Sequence, residues 1–363
     1  MAKKLRSGFT TGTHATAVLV GAFCERFMGE MFDVVEVTLP KGIEAKIEIQ
    51  RDGKNHFSAI KGDNDDIDVT KDAKISCVLY SHMPHGVKKQ TPTLIKIDDF
   101  KLYVWAGDGV GVVTKAGLKI EPNYPAINPT PLKMMQENIK ALDTKLFGEV
   151  HALFGVENGN EIAKNTANAK VGVLGGISIL GTRGIVKPVS SSAYIDSIEV
   201  EIAVAAAQNE DILVLTLGNS AVDEAKESYD DVSIIEIGNF IYDTLARMKK
   251  YKFKKLLFIT SVAKMTKVAQ GFKNTHNRYG TIDFDEIKRW IKDEFGVDFK
   301  EDEFVTLKGV LQTLDDKYHK EFITNITNKA LLRLQKWMVE LDMKVDEIEV
   351  LTLPRKIKQG LRW

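Results

Sequence analysis

Between residues 171 and 260, short apolar runs alternate with helical stretches, and this alternation limits the chain more than any other feature. Val171 to Leu174, Ile212 to Leu217, Val232 to Ile237 and Lys255 to Thr260 each read as a buried strand. Helical stretches over Ser190 to Gln208, Ala221 to Ser228 and Phe240 to Lys250 separate them. Strand and helix alternating at this spacing require right-handed crossovers and a parallel sheet covered on both faces. The pattern predicts a Rossmann-like parallel-sheet domain over 169–363. Its charged, helical C-terminal extension begins near Asp283, with a late strand at Ile348 to Leu353.

The first half has a different texture. Thr10-Thr11-Gly12-Thr13 is a turn and N-cap signal ahead of a small-residue helix from about His14 to Phe27. Strand-like runs follow at Val34 to Leu39, Ala45 to Gln50, Ile75 to Leu79, Leu94 to Ile97 and Lys101 to Trp105, with a hairpin signal at Arg51-Asp52-Gly53-Lys54. A proline-bearing segment, Glu121 to Pro131, leads into a helix from Leu132 to Leu142, and a last strand spans Glu149 to Val156. The fold class is therefore α/β plus α+β: an N-terminal α+β domain over 1–168, then the parallel-sheet domain. A length of 363 residues suits two domains at about 150 residues each.

Composition narrows the function classes. Lysine plus arginine equals aspartate plus glutamate at 50 each, so bulk charge gives no reason to expect nucleic acid or an anionic membrane as partner. Cys24 and Cys77 are the only cysteines; they form no Cys-x-x-Cys motif and point to a reducing, cytoplasmic setting. The basic start, Met1 to Arg6, is followed by no signal-type apolar region, and no run approaches the roughly 18 apolar residues of a membrane span. His82 and His85 lack a nearby carboxylate or cysteine, and Asp63 to Asp68 lacks the glycine and glutamate of a calcium loop, so no metal site is expected.

Four polar or glycine-rich segments can carry chemistry. The densest, Gly175 to Gly184, follows the first apolar run, and its glycines Gly175, Gly176, Gly181 and Gly184, with Thr182, would let backbone N–H groups approach a cofactor. Its spacing matches neither a dinucleotide fingerprint nor a phosphate loop, and leaves NAD, a nucleotide and S-adenosylmethionine open; tight packing alone would also use these glycines. Glu236, at the end of a strand before Gly238-Asn239-Phe240, suits ribose hydroxyls. The segment Gly271 to Arg278 contains Asn274, Thr275 and His276 in a donor-rich loop, after a helix bearing Lys264 and Lys267. Thr10, Thr11 and Thr13 precede a helix start and can hold an anion there, although a plain N-cap uses the same residues.

In chain order, these motifs resemble one family. They are Gly8-Phe-Thr-Thr-Gly-Thr13, Asp65-Asp-Ile-Asp-Val-Thr70, Gly109-Val-Gly-Val-Val-Thr-Lys115, Pro125-Ala-Ile-Asn-Pro129, Gly175 through Val186, Gly238-Asn-Phe240 and Asn274-Thr-His276. Together they are similar to the CbiD family, the cobalt-precorrin-5B C(1)-methyltransferases of anaerobic cobalamin biosynthesis. The last 60 or so residues add little to the match.

The resemblance implies transfer of a methyl group from S-adenosylmethionine to a ring carbon of a cobalt-bearing tetrapyrrole, with the cobalt belonging to the substrate. It implies a cofactor side at Gly175, Gly176, Gly181, Thr182, Gly184 and Glu236. The substrate side would comprise Thr10, Thr11, Thr13, Lys115, Arg183, Lys264, Asn274 and Thr275, with His276 and His14 as candidate catalytic residues. Arg6, Lys115, Arg183, Lys264, Lys267 and Arg278 would meet the substrate's carboxylates. Three positions depart from the family pattern: His14 replaces a usual cysteine, Leu217 a proline and Ser261 a glycine. The changes at His14 and Ser261 keep open a second reading, a non-catalytic tetrapyrrole-binding or scaffold protein. An NAD-dependent oxidoreductase is suggested only by the parallel sheet and the glycine loop. The segment Asn328 to Leu341, with leucines at helical spacing, can pack on the core or on a second subunit, which leaves a homo-oligomer open.

Overall fold

The helix α1, Thr11–Phe23, is apolar or small on every side, and all thirteen of its residues are buried. A helix without a polar face has to be surrounded, and this one forms the centre of the N-terminal unit. Thr10 caps it, its hydroxyl accepting from the Thr13 N–H at 3.2 Å. One π-helical turn, Cys24–Met28, continues it to Gly29, whose φ of 72° ends the run. The computed structural model describes residues 6–62, 65, 68–87, 89–142, 144–186, 191–299, 306–354 and 356–362. Asp63, Asn64, Asp66 and Ile67 of the acidic motif lie outside them, as do Met1 to Leu5.

Around α1 the N-terminal unit places β1 (Gly8–Phe9), the hairpin β2 (Val34–Leu39) and β3 (Ile43–Glu48), then β4 (Gln50–Gly53), β5 (His56–Ile60), β6 (Lys74–Tyr80), β7 (Thr93–Ile97) and β8 (Phe100–Ala106). It continues with β9 (Val112–Val113), α2 (Pro129–Lys140), β10 (Gly148–Val156), α3 (Gly159–Ala163), β11 (Val173–Leu174) and β12 (Ile185–Val186). Six strands form a sheet in the order β4-β5-β6-β10-β8-β7, antiparallel except for β10 beside β8. Strict alternation buries Ile75, Cys77 and Leu79 of β6 and Phe100, Leu102 and Val104 of β8 in the core that α1 shares. This is the α+β pattern expected. The β5 strand was not legible because its polar residues, His56 and Ser58, interrupt the apolar run.

The C-terminal unit holds α4 (Ser191–Ala207), β13 (Ile212–Leu217), α5 (Asn219–Lys226), β14 (Ile234–Glu236), α6 (Ile241–Met248), β15 (Lys255–Ser261) and α7 (Val262–Ala269). Then follow α8 (Phe284–Phe295), α9 (Leu307–Thr313), α10 (Asp316–Glu340), β16 (Glu347–Leu353) and β17 (Ile357–Arg362). Its sheet runs β14-β13-β15-β16-β17, with the first four strands parallel and β17 antiparallel at the edge. The central strands β13 and β15 are apolar along nearly their whole length, as burial on both faces requires. The long helix α10 packs against α7 and β17, burying Phe322, Ile326, Leu334 and Trp337.

Two expectations need correction. Val171 to Leu174 is not the first strand of the parallel set; Val173 and Leu174 pair antiparallel with Val113 and Val112 in the first unit. The change of unit expected at 168 falls between Ser190 and Ser191. The physical reason is non-local. The 171–186 segment hydrogen-bonds back to strands and turns of the N-terminal unit, and no local property of Val-Gly-Val-Leu reveals which sheet it joins.

Candidate functional site

Gly175 to Gly184 belongs to the N-terminal unit, where most of its glycines have a packing reason. Gly176 has φ of 151°, and a Cβ there would collide with the Gly109 carbonyl group. Gly109 is itself pressed against the Val156 carbonyl, and Gly159 against Gly109. A Cβ on Gly181 would run into the Thr10 side chain, and one on Gly184 into Leu39 at 2.9 Å. Backbone meets backbone along this crossing, and side chains at these positions would separate it.

The N-terminal threonines clasp the same segment. The Thr10 N–H donates to the Gly184 carbonyl at 3.0 Å and the Gly12 N–H to the Leu180 carbonyl at 3.0 Å. The Thr11 hydroxyl donates to the Leu180 carbonyl at 3.1 Å and accepts from the Leu180 N–H at 3.0 Å. The Thr13 hydroxyl donates to the Gly184 carbonyl at 2.7 Å. All three threonines are buried. His14 is 4% exposed, and its Nδ1 donates to the Thr10 carbonyl at 2.9 Å. Burial holds its pKa down at about 4; the bond to Thr10 and the Asp68 carboxylate oppose that shift, and nearby Lys61 adds to it. Lys61, itself 1% exposed, is neutralised by an ion pair with Asp68. The structure thus brings Thr10, Thr11, Thr13, His14, Gly181 and Gly184 together in one buried clasp. Thr182 and Arg183 stand exposed on it, Gly175 is exposed beside it, and Lys115 is half-buried with its stem packed over Gly172.

In the C-terminal unit, two sequence motifs meet. The Thr275 hydroxyl donates to the Asn239 side-chain oxygen at 2.8 Å, and the Thr275 N–H to the Asn239 carbonyl at 3.1 Å. This joins Gly238-Asn239-Phe240 to Asn274-Thr275-His276. Lys267, 6% exposed, supports the loop from below, donating to the Thr275 carbonyl at 3.1 Å, the Asn277 side chain at 2.7 Å and the Gly280 carbonyl at 3.0 Å. The loop presents His276 at the surface, its Nδ1 accepting from the Arg278 N–H at 3.1 Å and its own N–H donating to the Asn274 side chain at 2.9 Å. Arg278, also exposed, donates to Ser191 at 3.2 Å. Of the six cations expected at substrate carboxylates, Lys267 is held inside this loop, Arg6 is in an ion pair with Asp65 at 2.9 Å, and Arg278 donates to neutral hydroxyls but has no carboxylate partner among the described residues.

Beside this loop lie the carboxyl ends of β13, β14 and β15. The β13 strand hands the chain to β14 on one side, whereas β15 hands it to β16 on the other. Between β13 and β15 the connections diverge, and at such a switch point an open parallel sheet leaves a crevice for ligands. Gly218, with φ of 95°, makes the turn out of β13. A Cβ there would approach only the Lys264 ammonium, at 3.7 Å. Glu236 stands exposed at the end of β14, 18 positions beyond Gly218. The Tyr194 hydroxyl donates to the Glu236 carbonyl at 3.2 Å, and its ring lies over Gly238 and against Phe240, centroids 5.5 Å apart. Burial, with Glu236 and Glu201 nearby, pushes the Tyr194 hydroxyl up to about 12. Sequence reasoning missed Gly218, Asn219 and Tyr194. The signal for the first two was present, since an apolar hexamer ending in Gly-Asn before a helix is itself a strand-to-helix turn.

Comparison with known proteins decides the family. Residues 1–188 match CbiD. The chain is 36% identical over 295 residues to the cobalt-precorrin-5B C(1)-methyltransferase of Burkholderia thailandensis, covering 79% of this chain and 77% of that protein. The chain belongs to the CbiD family. The same-named protein of Pseudomonas savastanoi pv. phaseolicola is 36% identical over 297 residues, covering 80% and 76%. The solved structure of cobalamin biosynthesis protein CbiD from Archaeoglobus fulgidus is 25% identical, covers 70% of this chain and 76% of that one, and superposes with a TM-score of 0.39. Among the described residues of this CbiD member, no group of three or more histidine, cysteine, aspartate or glutamate residues is placed to hold a metal. No described helix is long and apolar enough to cross a membrane.

Proposed function

We propose that this chain methylates a cobalt-bearing tetrapyrrole, as a cobalt-precorrin-5B C(1)-methyltransferase acting in cobalamin biosynthesis. The observation that carries the reading is its likeness to methyltransferases of that name over more than three-quarters of both chains. S-adenosylmethionine, when bound, supplies a methyl group already activated on its sulfonium. The chain's task is then to hold both reactants in line and keep water out, which in intramolecular reactions is worth about 7–11 kcal/mol.

The C-terminal unit, with its Rossmann-like sheet, has residues that fit the donor. Gly218 leaves room at the switch point, Glu236 offers a carboxylate beside it, and Lys264 offers a cation. For the substrate's carboxylates the exposed Arg183 and Arg278 and the half-buried Lys115 are suited. With Nδ1 accepting from the Arg278 N–H, neutral His276 carries its proton on Nε2 at an exposed loop tip, where it can donate a hydrogen bond to substrate. The departures from the family pattern do not favour the scaffold reading. His14 is buried in packing, and Ser261 sits at the N-cap position of α7 with φ of −70°, a conformation that needs no glycine.

Purified protein incubated with the precursor and S-adenosylmethionine should yield a product heavier by one methyl group in mass spectrometry. Binding of the precursor without any such product would establish the scaffold reading in its place. In the same assay, His276→Ala should lower turnover about 100-fold while leaving donor affinity unchanged. Equal turnover would make this histidine a surface residue only.

A further inference from the structure

Among the described residues, several buried or half-buried lysines have their charge met by oxygen partners, and Lys264 does not. Lys61 pairs with Asp68, Lys255 with Glu347 and Glu349 at 3.5 and 2.9 Å, and Lys267 donates to three oxygens. Lys264 lies one helical turn from Lys267 on α7 and is half-buried at the β13–β15 switch point. Among the described residues, no oxygen lies within hydrogen-bond or ion-pair reach of its ammonium. Glu236 attracts it electrostatically from beyond contact, and burial lowers its pKa. A partly desolvated cation without a counter-ion is unfavourable unless a ligand supplies one.

Position points to the ligand's chemistry. In an open parallel sheet the first strand-to-helix turn takes the close backbone approach of a nucleoside-bearing ligand, and an acidic residue about 20 positions on takes its ribose. Here that turn is Leu217-Gly218-Asn219 and the acidic residue is Glu236. The Tyr194 and Phe240 rings provide an apolar rim next to Glu236. Lys264 adds what a plain nucleoside site lacks, a cation on the far side of the same turn.

We propose that the donor binds at this switch point, with Lys264 holding its amino-acid carboxylate and Glu236 its ribose hydroxyls. This moves the donor away from Gly175 to Gly184, and it rests on the methyltransferase reading above. The test is calorimetric titration of S-adenosylhomocysteine and of 5′-methylthioadenosine, which has the same nucleoside but no amino-acid carboxylate. Lys264→Gln should weaken S-adenosylhomocysteine roughly tenfold to a hundredfold and change 5′-methylthioadenosine less than twofold. Lys264→Arg, which keeps the charge and guards against a misfolded glutamine variant, should recover most of the affinity. Equal weakening of both ligands would overturn the proposal, since the lysine would then only support the turn. Unchanged S-adenosylhomocysteine affinity with a raised KM for the tetrapyrrole would also overturn it, assigning Lys264 to a substrate carboxylate. If the unaltered protein bound no S-adenosylhomocysteine, the methyl-donor reading itself would fall and this inference with it.

Discussion

Two glycine-bearing turns in this chain look alike locally and differ in what their glycines do. In the N-terminal unit, the glycines at 176, 181 and 184 sit where a Cβ would strike the Gly109 backbone, Thr10 or Leu39. In the C-terminal unit, a Cβ on Gly218 would meet one flexible ammonium at 3.7 Å. The first set closes space between segments of the protein, and the second leaves space at the open end of a parallel sheet. Glycine density therefore marks close backbone approach, but whether the approaching group is protein or ligand depends on what lies opposite.

The comparison can be broken most decisively at Gly176. Gly176→Val should destabilise the protein by more than about 4 kcal/mol or abolish soluble expression, because both backbone angle and space exclude the side chain. A folded Gly176→Val protein that had lost only S-adenosylhomocysteine binding would return the donor to that loop. Acid sensitivity of the clasp should come next. The folded pKa of His14 lies near 4, below its ordinary value, so between about pH 6.5 and 4 the unfolded chain binds the proton and the folded chain does not. Stability is thus whole above that window and falls as the pH drops through it, by on the order of 3 kcal/mol. Urea unfolding across this range should show the loss, and His14→Cys should remove that part of it. The smallest effect belongs to the second turn. Glu236→Gln should leave the melting temperature unchanged and weaken S-adenosylhomocysteine by about 1 kcal/mol, or roughly fivefold, in calorimetry. Full affinity in that variant would take Glu236 out of the donor site.

Much of the fold was legible in the sequence. The strand at Val34 to Leu39 and those at 212–217 and 255–260 were readable because their apolar runs are long and bounded by turns. The link between Asn239 and Thr275 was not, because it joins the turn after β14 to a loop 36 positions away through one side-chain and one backbone hydrogen bond. Lys264 and Lys267 shared one description, lysines on a helix beside a polar loop. Only the positions of Thr275, Asn277 and Gly280 separate the satisfied cation from the unmet one.

The sequence by itself determined the family, through motifs spread in order along the chain, and the alternation of strand and helix in the second half. That glycine is required at 176, 181, 184 and 218 came from the structure, where those backbones run at positive φ. Tertiary structure alone decided that Val173 and Leu174 pair with Val113 and Val112, that the units divide between Ser190 and Ser191, and that Gly218 occupies the switch point. The reason is that strand pairing is a non-local choice. A short apolar run followed by glycine satisfies either sheet equally well, and only the hydrogen-bonding edge it finds fixes what its glycines face.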